Sequence, residues 1–413
     1  MTRRPRWRLT ISVVALVMLV AIGWWLGVRE PDWNQLPVES LQQLEQQLEL
    51  LRSELRIPGM SVAIADRDAI IWTRGFGLSN REQPVAAGPN TIYPLASTTK
   101  PYGSTIVLQL VQEARLQLED SVSSYGIALP DRTMPVKVWH LLSHTSGDPP
   151  GSRYRYDGNA FGALTQIVER VTGQPFSRVL TDRIIRPLGL NETAPYPGDP
   201  RPFWSLVASL KVSHDDIEKG RAAFAATGIE RSAIESALAQ GYARAWGRSL
   251  WPTGLVGPMR PMPHGFTLST TGGLVASAPD VARYSIAMDQ GRLLDDRMRA
   301  QAWTPRNDPN GKSMPYGLGW FVQNNVRGLK VVWHYGHAFE SSSLLVKIPD
   351  RRVTFVILAN SDGLSRWRGL GDSADVTASP AATLFLNWYV GERARASTDR
   401  KTNDSPGTSS GRR

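Results

Sequence analysis

The chain has 413 residues and a net charge of +10, with 41% hydrophobic and 20% charged residues, an ordinary balance for an enzyme larger than one typical core. The charge is uneven: Arg3, Arg4, Arg6 and Arg8 contribute +4 and the tail from Glu392 contributes +3, leaving about +3 for the body. That distribution, with no basic stripe interleaved with aromatics, excludes a nucleic-acid partner, and the lack of cysteine excludes a cysteine nucleophile, a thiolate metal site and an N-terminal lipidated cysteine.

The first element in chain order is Leu9 to Val28, a run of 20 residues without a charge, preceded by four arginines and followed by Arg29-Glu30. At 1.5 Å per residue it spans ~30 Å, the thickness of a bilayer's hydrocarbon core. Trp24 and Trp25 suit an interfacial belt, and the arginines orient the start inward, so the body is expected outside the cytoplasm, as a single-pass protein of the inner membrane facing the periplasm. A cleaved signal peptide is the competing reading, with Ala21-Ile22-Gly23 as a weak cleavage site. Because the apolar run continues through Trp24-Trp25-Leu26, an uncleaved anchor is the expectation.

Leu41, Leu44, Leu48, Leu51 and Leu55 recur at helical spacing between Glu39 and Arg56, ahead of Ile57-Pro58-Gly59. Met60 to Ala65 and Ala69 to Arg74 read as a hairpin turned at Asp66-Arg67-Asp68. Gly75 to Pro94 is turn-rich, and Ser97 to Leu116 is helical, with Pro101 placing the helix start at or just before Ser97. The middle is mostly helical: Phe161 to Thr172 stops at Gly173, and Asp215 to Leu238 has a similar pattern. Trp246 to Pro263 reads as a long loop walling a cleft.

Strands return at Lys330 to His334, Ser342 to Ile348 and Val353 to Ala359, with Pro349-Asp350-Arg351-Arg352 as one turn. Ala381 to Val390 is a closing helix, and the polar stretch from Arg395 to Arg413 is expected to be disordered. The organisation is therefore residues 1–30 as stub and anchor, 31–392 as the folded domain and 393–413 as tail. Joining the early and late strands into one antiparallel sheet, flanked by helices and with the middle as a helical lobe, is the economical α/β (α+β) architecture.

The chemistry-bearing residues are Ser97-Thr98-Thr99-Lys100, then Tyr156, then His334-Tyr335-Gly336. A serine hydroxyl needs a base to take its proton. If Ser97 opens a helix, Lys100 lies on the same face one turn on. It acts as a base only when neutral, so its surroundings must lower a pKa of ~10.4 by about 3 units, a cost of about 4 kcal/mol. A phenol at Tyr156 can relay a proton to a leaving group. The strand ending at Gly336 can present the His337 amide to a reacting carbonyl, making an oxyanion hole with the Ser97 amide, and His334 can bind an anionic substrate group. The bland readings are a serine cap with a surface lysine, a core tyrosine and a strand-end histidine with satisfied hydrogen bonds. Their occurrence together and in order favours the chemical reading.

His140 and His144 are four apart, but no third ligand is near, so no metal and no cofactor are expected. His214 and His264 stand alone, and Asn360-Ser361-Asp362-Gly363 reads as a turn after the last strand.

With these residues in view, the chain resembles the β-lactamase-related serine hydrolases, a family that includes class C β-lactamases, D-alanyl-D-alanine peptidases and esterases. The resemblance covers Glu39 to Glu392. It rests on Arg56-Ile57-Pro58-Gly59-Met60, Leu95-Ala96-Ser97-Thr98-Thr99-Lys100-Pro101, Trp139 to Gly147, Tyr156, Glu169 to Gly173, Arg186-Pro187-Leu188-Gly189-Leu190, Gly272-Gly273-Leu274 and Tyr316-Gly317-Leu318-Gly319-Trp320. It implies a sandwich around an antiparallel sheet with the site where the helical lobe meets it. It also implies Ser97 as acylated nucleophile, Lys100 as base, Tyr156 as proton shuttle, and His334 and Gly336 on the lining strand.

Two departures stand out. The family's second motif is usually Tyr-x-Asn; here Gly158 takes the third place, so Asn159 or Asp157 would have to substitute for the amide. The third motif is His-Tyr-Gly where β-lactamases usually carry Lys-Thr-Gly, which removes a permanent charge and leans toward peptidase or esterase members. The expected function is hydrolysis of an amide or ester in a small-molecule or peptide substrate. The alternative is an inactive penicillin-binding-protein-like binding module.

Overall fold

This computed structural model describes residues 36–129, 132–196, 224–244, 259–264, 267–365 and 370–403, and residues 18, 33, 218, 221 and 222 besides. The expected anchor and His214 lie outside these residues, Met18 excepted, and among the described residues no helix is long and apolar enough to cross a membrane.

Helix α1 (Leu41–Glu54) starts where Ser40 Oγ accepts the Gln43 N–H, and it buries Leu44, Leu48 and Leu51. Strands β1 (Gly59–Asp66) and β2 (Ala69–Asn80) form the expected hairpin, with Arg67 in the left-handed region at φ +52°. β2 runs six residues past Arg74, into the stretch read from sequence as turn-rich. Gly77 is there because a Cβ would stand 2.2 Å from the Pro58 carbonyl oxygen, so the glycine marks a close approach of chains rather than a turn. Short strands β3 (Val85–Ala86) and β4 (Ile92–Pro94) follow.

Helix α2 (Lys100–Gln112) is preceded by a 3₁₀ turn, Ala96–Thr99. The lobe then adds α3 (Val138–Leu142), α4 (Gly158–Gly162), α5 (Leu164–Thr172, closed by Gly173 at φ +70°) and α6 (Phe176–Leu180). Strand β5 (Thr193–Pro195) precedes α7 (Arg231–Ala237). Only this last part of the predicted Asp215–Leu238 helix is a continuous helix among the described residues, because a turn through Gly228, at φ +68°, interrupts it. Strands β6 (Gly241–Arg244) and β7 (Met259–Met262) pair, which gives the end of the predicted Trp246–Pro263 loop a strand; residues 245–258 lie outside the described ones.

Strand β8 (Leu274–Ser277) leads into α8 (Ala278–Asp289), then β9 (Phe321–Val326), β10 (Leu329–His337), β11 (Ser342–Ile348), β12 (Val353–Ala359) and α9 (Pro380–Asn403). α9 continues through Asn403, into the polar stretch that begins at Arg395, and meets no proline or glycine between that residue and Pro406.

The main sheet has seven antiparallel strands in the order β3-β2-β1-β12-β11-β10-β9, so the two ends of the chain meet at the β1–β12 pair, as the sequence order suggested. Alternation along the strands fills both faces. Met60, Val62, Ile64, Phe355 and Ile357 pack beneath α1 and α9; Ala63, Ala65, Val356 and Leu358 pack against α2, α8 and the helical lobe. One ion pair is sealed in this second layer: Lys347 Nζ on β11 stands 2.5 Å from Asp289 Oδ2 on α8, both buried.

Candidate active site

Ser97 does not open the α-helix. It sits in the 3₁₀ turn, and the residue before it, Ala96, is held at φ +46°, a strained conformation for a residue with a Cβ. The turn is tied to the sheet: Ser343 Oγ on β11 donates to the Leu95 carbonyl at 2.7 Å and receives the Thr98 hydroxyl at 2.8 Å. Ser97 is partly exposed while Lys100 beneath it is buried.

Lys100 Nζ lies 2.9 Å from Ser97 Oγ and 3.2 Å from the Thr271 carbonyl oxygen. It also lies over the Tyr156 ring at 5.0 Å and the Phe161 ring at 5.6 Å. Burial lowers its pKa from 10.5 to about 7, against the opposing pull of the Asp157 carboxylate. The amine is therefore poised between its two protonation states near neutrality.

Tyr156 precedes α4, which Asp157 caps by accepting the Ala160 N–H at 2.9 Å. The phenol oxygen is enclosed and makes no hydrogen bond in this state. Burial pushes its pKa up, and the Ser97 hydroxyl, near but outside hydrogen-bond geometry, offsets part of that rise. Asn159, named from sequence as a substitute for the absent asparagine, is exposed in the first turn of α4, and the lysine's partners are Ser97 and Thr271 instead.

His334 is fully buried on β10. Its Nδ1 faces the Tyr335 carbonyl at 2.8 Å, so that nitrogen carries the hydrogen; Nε2 then accepts the Tyr316 hydroxyl at 2.8 Å. Both ring nitrogens are engaged, and burial together with the Lys100 charge holds the pKa well below its ordinary value. His334, expected from sequence to bind an anionic group, thus has both ring nitrogens bonded within the protein. Gly336 lies on the same strand against the serine turn, where a Cβ would meet the Leu95 oxygen at 2.1 Å. His337 ends β10 opposite Ser342, beside this contact.

His140 and His144 do not converge: each spends Nδ1 on a backbone N–H, that of Lys137 and that of Asp157 respectively. His144 is instead part of the site's wall, its ring 4.3 Å from that of Tyr156 and 4.8 Å from that of Tyr316. Among the described residues no group of three His, Asp or Glu side chains is placed to hold a metal ion. Asn360, in the turn after β12, is structural: its side chain accepts the Gly59 N–H and donates to the Leu78 carbonyl. The contacts of Thr271 with Lys100, of Tyr316 with His334 and of the His144 ring with Tyr156 carry no signal in sequence spacing. Each lies within or beside a motif that carries the family resemblance.

A family model described as Beta-lactamase matches residues 41–377. Protein flp of Staphylococcus aureus (strain MW2) is 23% identical over 362 residues, covering 79% of this chain; the match spans 64% of flp's length. A putative D-alanyl-D-alanine carboxypeptidase of Escherichia coli (strain K12) is 25% identical over 80% of this chain and 84% of its own. Among solved structures, the octameric penicillin-binding protein homologue from Pyrococcus abyssi superposes with a TM-score of 0.65 at 22% identity, over 86% of this chain and 78% of that one, a likeness of fold. With that family model covering most of the folded body, the chain belongs to the beta-lactamase-related serine hydrolase family.

Proposed function

We propose that the chain is a membrane-anchored, extracytoplasmic serine hydrolase that forms an acyl-enzyme on Ser97. The observation that carries this is the buried Lys100 Nζ at 2.9 Å from Ser97 Oγ, with a pKa lowered to about 7. Neutral Lys100 takes the Ser97 proton as Oγ attacks the carbonyl carbon, and the carbonyl oxygen becomes an oxyanion between the Ser97 and His337 amides. The proton then reaches the leaving group through the Tyr156 phenol, the carbon–leaving-group bond breaks, and water hydrolyses the acyl-enzyme. Amides or esters are the substrates, with D-amino-acid peptides of the cell wall ahead of small esters; the likeness to a putative carboxypeptidase supports that order. The neutral, engaged His334 argues against efficient β-lactamase action, since it offers no charge to a substrate carboxylate.

Intact-mass spectrometry of residues 31–413, after a fluorophosphonate and separately after a penicillin, tests the reading, with Ser97→Ala as control. A Ser97-dependent adduct with the fluorophosphonate is the expected result, and a second with penicillin points to a cell-wall peptidase. No adduct with either probe leaves the inactive binding module as the better account. Anchoring is tested separately: the full chain should fractionate with membranes and resist carbonate extraction, and a chain lacking residues 1–30 should not.

A further inference from the structure

Nothing fixes Tyr156 at its oxygen end: the hydroxyl is enclosed and makes no hydrogen bond in the free protein. Its placement beside Lys100 therefore comes from its backbone and its ring contacts, and both lead to His144. The His144 carbonyl oxygen accepts the Arg155 N–H at 2.8 Å, and its Nδ1 accepts the Asp157 N–H at 3.0 Å. The chain is thus held immediately before and immediately after the tyrosine. The imidazole also lies against the phenol, with ring centres 4.3 Å apart and planes 31° from parallel.

Two features of His144 are unfavourable in themselves. Its φ is +56°, in the left-handed region that a residue with a Cβ rarely adopts. Because Nδ1 accepts a hydrogen bond, the ring hydrogen is on Nε2, and Nε2 is enclosed without a partner. Burial first, then the Lys100 charge, holds its pKa well below the ordinary value, so the ring stays neutral and Nδ1 stays an acceptor. His140 offers the contrast. Its Nδ1 also accepts a backbone N–H, but that of Lys137, three residues back in its own first turn, whereas His144 reaches 13 residues along the chain.

We propose that His144 is the positioning residue of the Tyr156 proton relay: it grips Arg155 and Asp157, backs the phenol ring and so aims the hydroxyl at the departing group. This rests on the hydrolase reading above. His144 acts only through Tyr156, so its effect follows the step that the phenol serves. A leaving group too basic to depart as an anion needs the relayed proton; one that is stable as an anion does not. Ethoxide belongs to the first kind and p-nitrophenolate to the second. Two substitutions separate the grip from the rest of the residue. Asparagine tolerates the left-handed backbone and carries Oδ1 where histidine carries Nδ1, so it keeps the acceptor. Glycine suits the backbone and has no acceptor.

The test compares kcat/KM, which reports acylation, for ethyl acetate and p-nitrophenyl acetate, with Ser97→Ala as blank. His144→Gly should lose about tenfold or more on the ethyl ester relative to the aryl ester, part of the ~10²–10⁴-fold that a placed acid contributes. His144→Asn should keep the wild-type ratio. In a Tyr156→Phe background, His144→Gly should leave the ratio where Tyr156→Phe has already put it, because the group it aims is gone. Equal losses on both esters, a ratio shift that persists in the Tyr156→Phe background, or an asparagine variant that behaves like the glycine one overturns the proposal. So does a glycine variant that no longer takes up fluorophosphonate at Ser97, which would assign His144 to the fold, and so does a wild type that labels but leaves ethyl acetate untouched. A wild type that neither labels at Ser97 nor hydrolyses the aryl ester overturns the hydrolase reading itself, so the two failures are distinguishable.

Discussion

Gly336 and Leu95 are packed so closely that a Cβ on the glycine would stand 2.1 Å from the Leu95 carbonyl oxygen. The obstacle is backbone, two residues before Ser97, and the same oxygen is already held by Ser343. The contact therefore sets the distance between the end of β10 and the serine turn. Gly336→Ala must push these two apart. The expected result is a loss of about 2–3 kcal/mol by urea denaturation, with kcat/KM for an activated ester down about 100-fold or more. Wild-type-like turnover in this variant would mean that the spacing is not used.

The Lys100 amine is active only when neutral, so acylation should rise with pH through about 7 and level off above it. Pre-steady-state labelling of Ser97 by an uncharged fluorophosphonate between pH 5 and 9 measures this. A flat profile would remove Lys100 from the role of base.

The same shift has a consequence for stability. The folded-state pKa lies below the ordinary 10.5, so between about 7 and 10.5 the unfolded chain binds more protons than the native one, and stability rises with pH across that window. Below about 7 the full cost of burying the charge is present, a few kcal/mol. Lys100→Met should therefore be inactive yet more stable than wild type at pH 7. The gap should narrow as the pH is raised toward 10, which denaturant titrations at both pH values would read directly.

Tyr156 carries an enclosed hydroxyl without a hydrogen bond in the free protein. Tyr156→Phe should leave the melting temperature unchanged or slightly raised, since a buried unsatisfied group is removed at a gain of up to about 1 kcal/mol. Turnover should fall by roughly 10²–10³-fold because the proton relay is lost. A variant that melts early and turns over normally would assign the hydroxyl to structure instead.

The buried pair Lys347–Asp289 ties the sheet to α8, and burial lowers the lysine's pKa against the pull of its aspartate. Asp289→Ala should cost about 3–5 kcal/mol, because it strands a buried charge, whereas the double change Lys347→Met with Asp289→Leu should be close to neutral. Equilibrium unfolding of the three proteins separates the two outcomes.

Periodicity was enough to recognise α1, the β1–β2 hairpin, β11, β12 and the join of both chain ends into one antiparallel sheet, because these elements bury one face and their side-chain spacing records it. The residue types and order of Ser97, Lys100, Tyr156 and Gly336 were likewise readable, and the fold brings Lys100 Nζ to 2.9 Å from Ser97 Oγ and Gly336 against the serine turn. What sequence spacing did not contain was long-range. Helical spacing put Ser97 at the start of an α-helix, but ties to β11 across 245 or more residues bend it into a 3₁₀ turn. The strand position of His334 suggested a contact with an anionic group, but it did not show that Tyr316, 18 residues away on another segment, bonds its Nε2. The partner that replaces the missing asparagine is a backbone carbonyl 171 residues from Lys100, and a carbonyl is present at every position, so no residue type announces it. The sequence by itself determined which groups are available and the strands and helices that carry them. Only the tertiary structure decided which of those groups is buried, which is already bonded and which faces open space, because burial and hydrogen bonding are set by neighbours that the chain brings together from far apart.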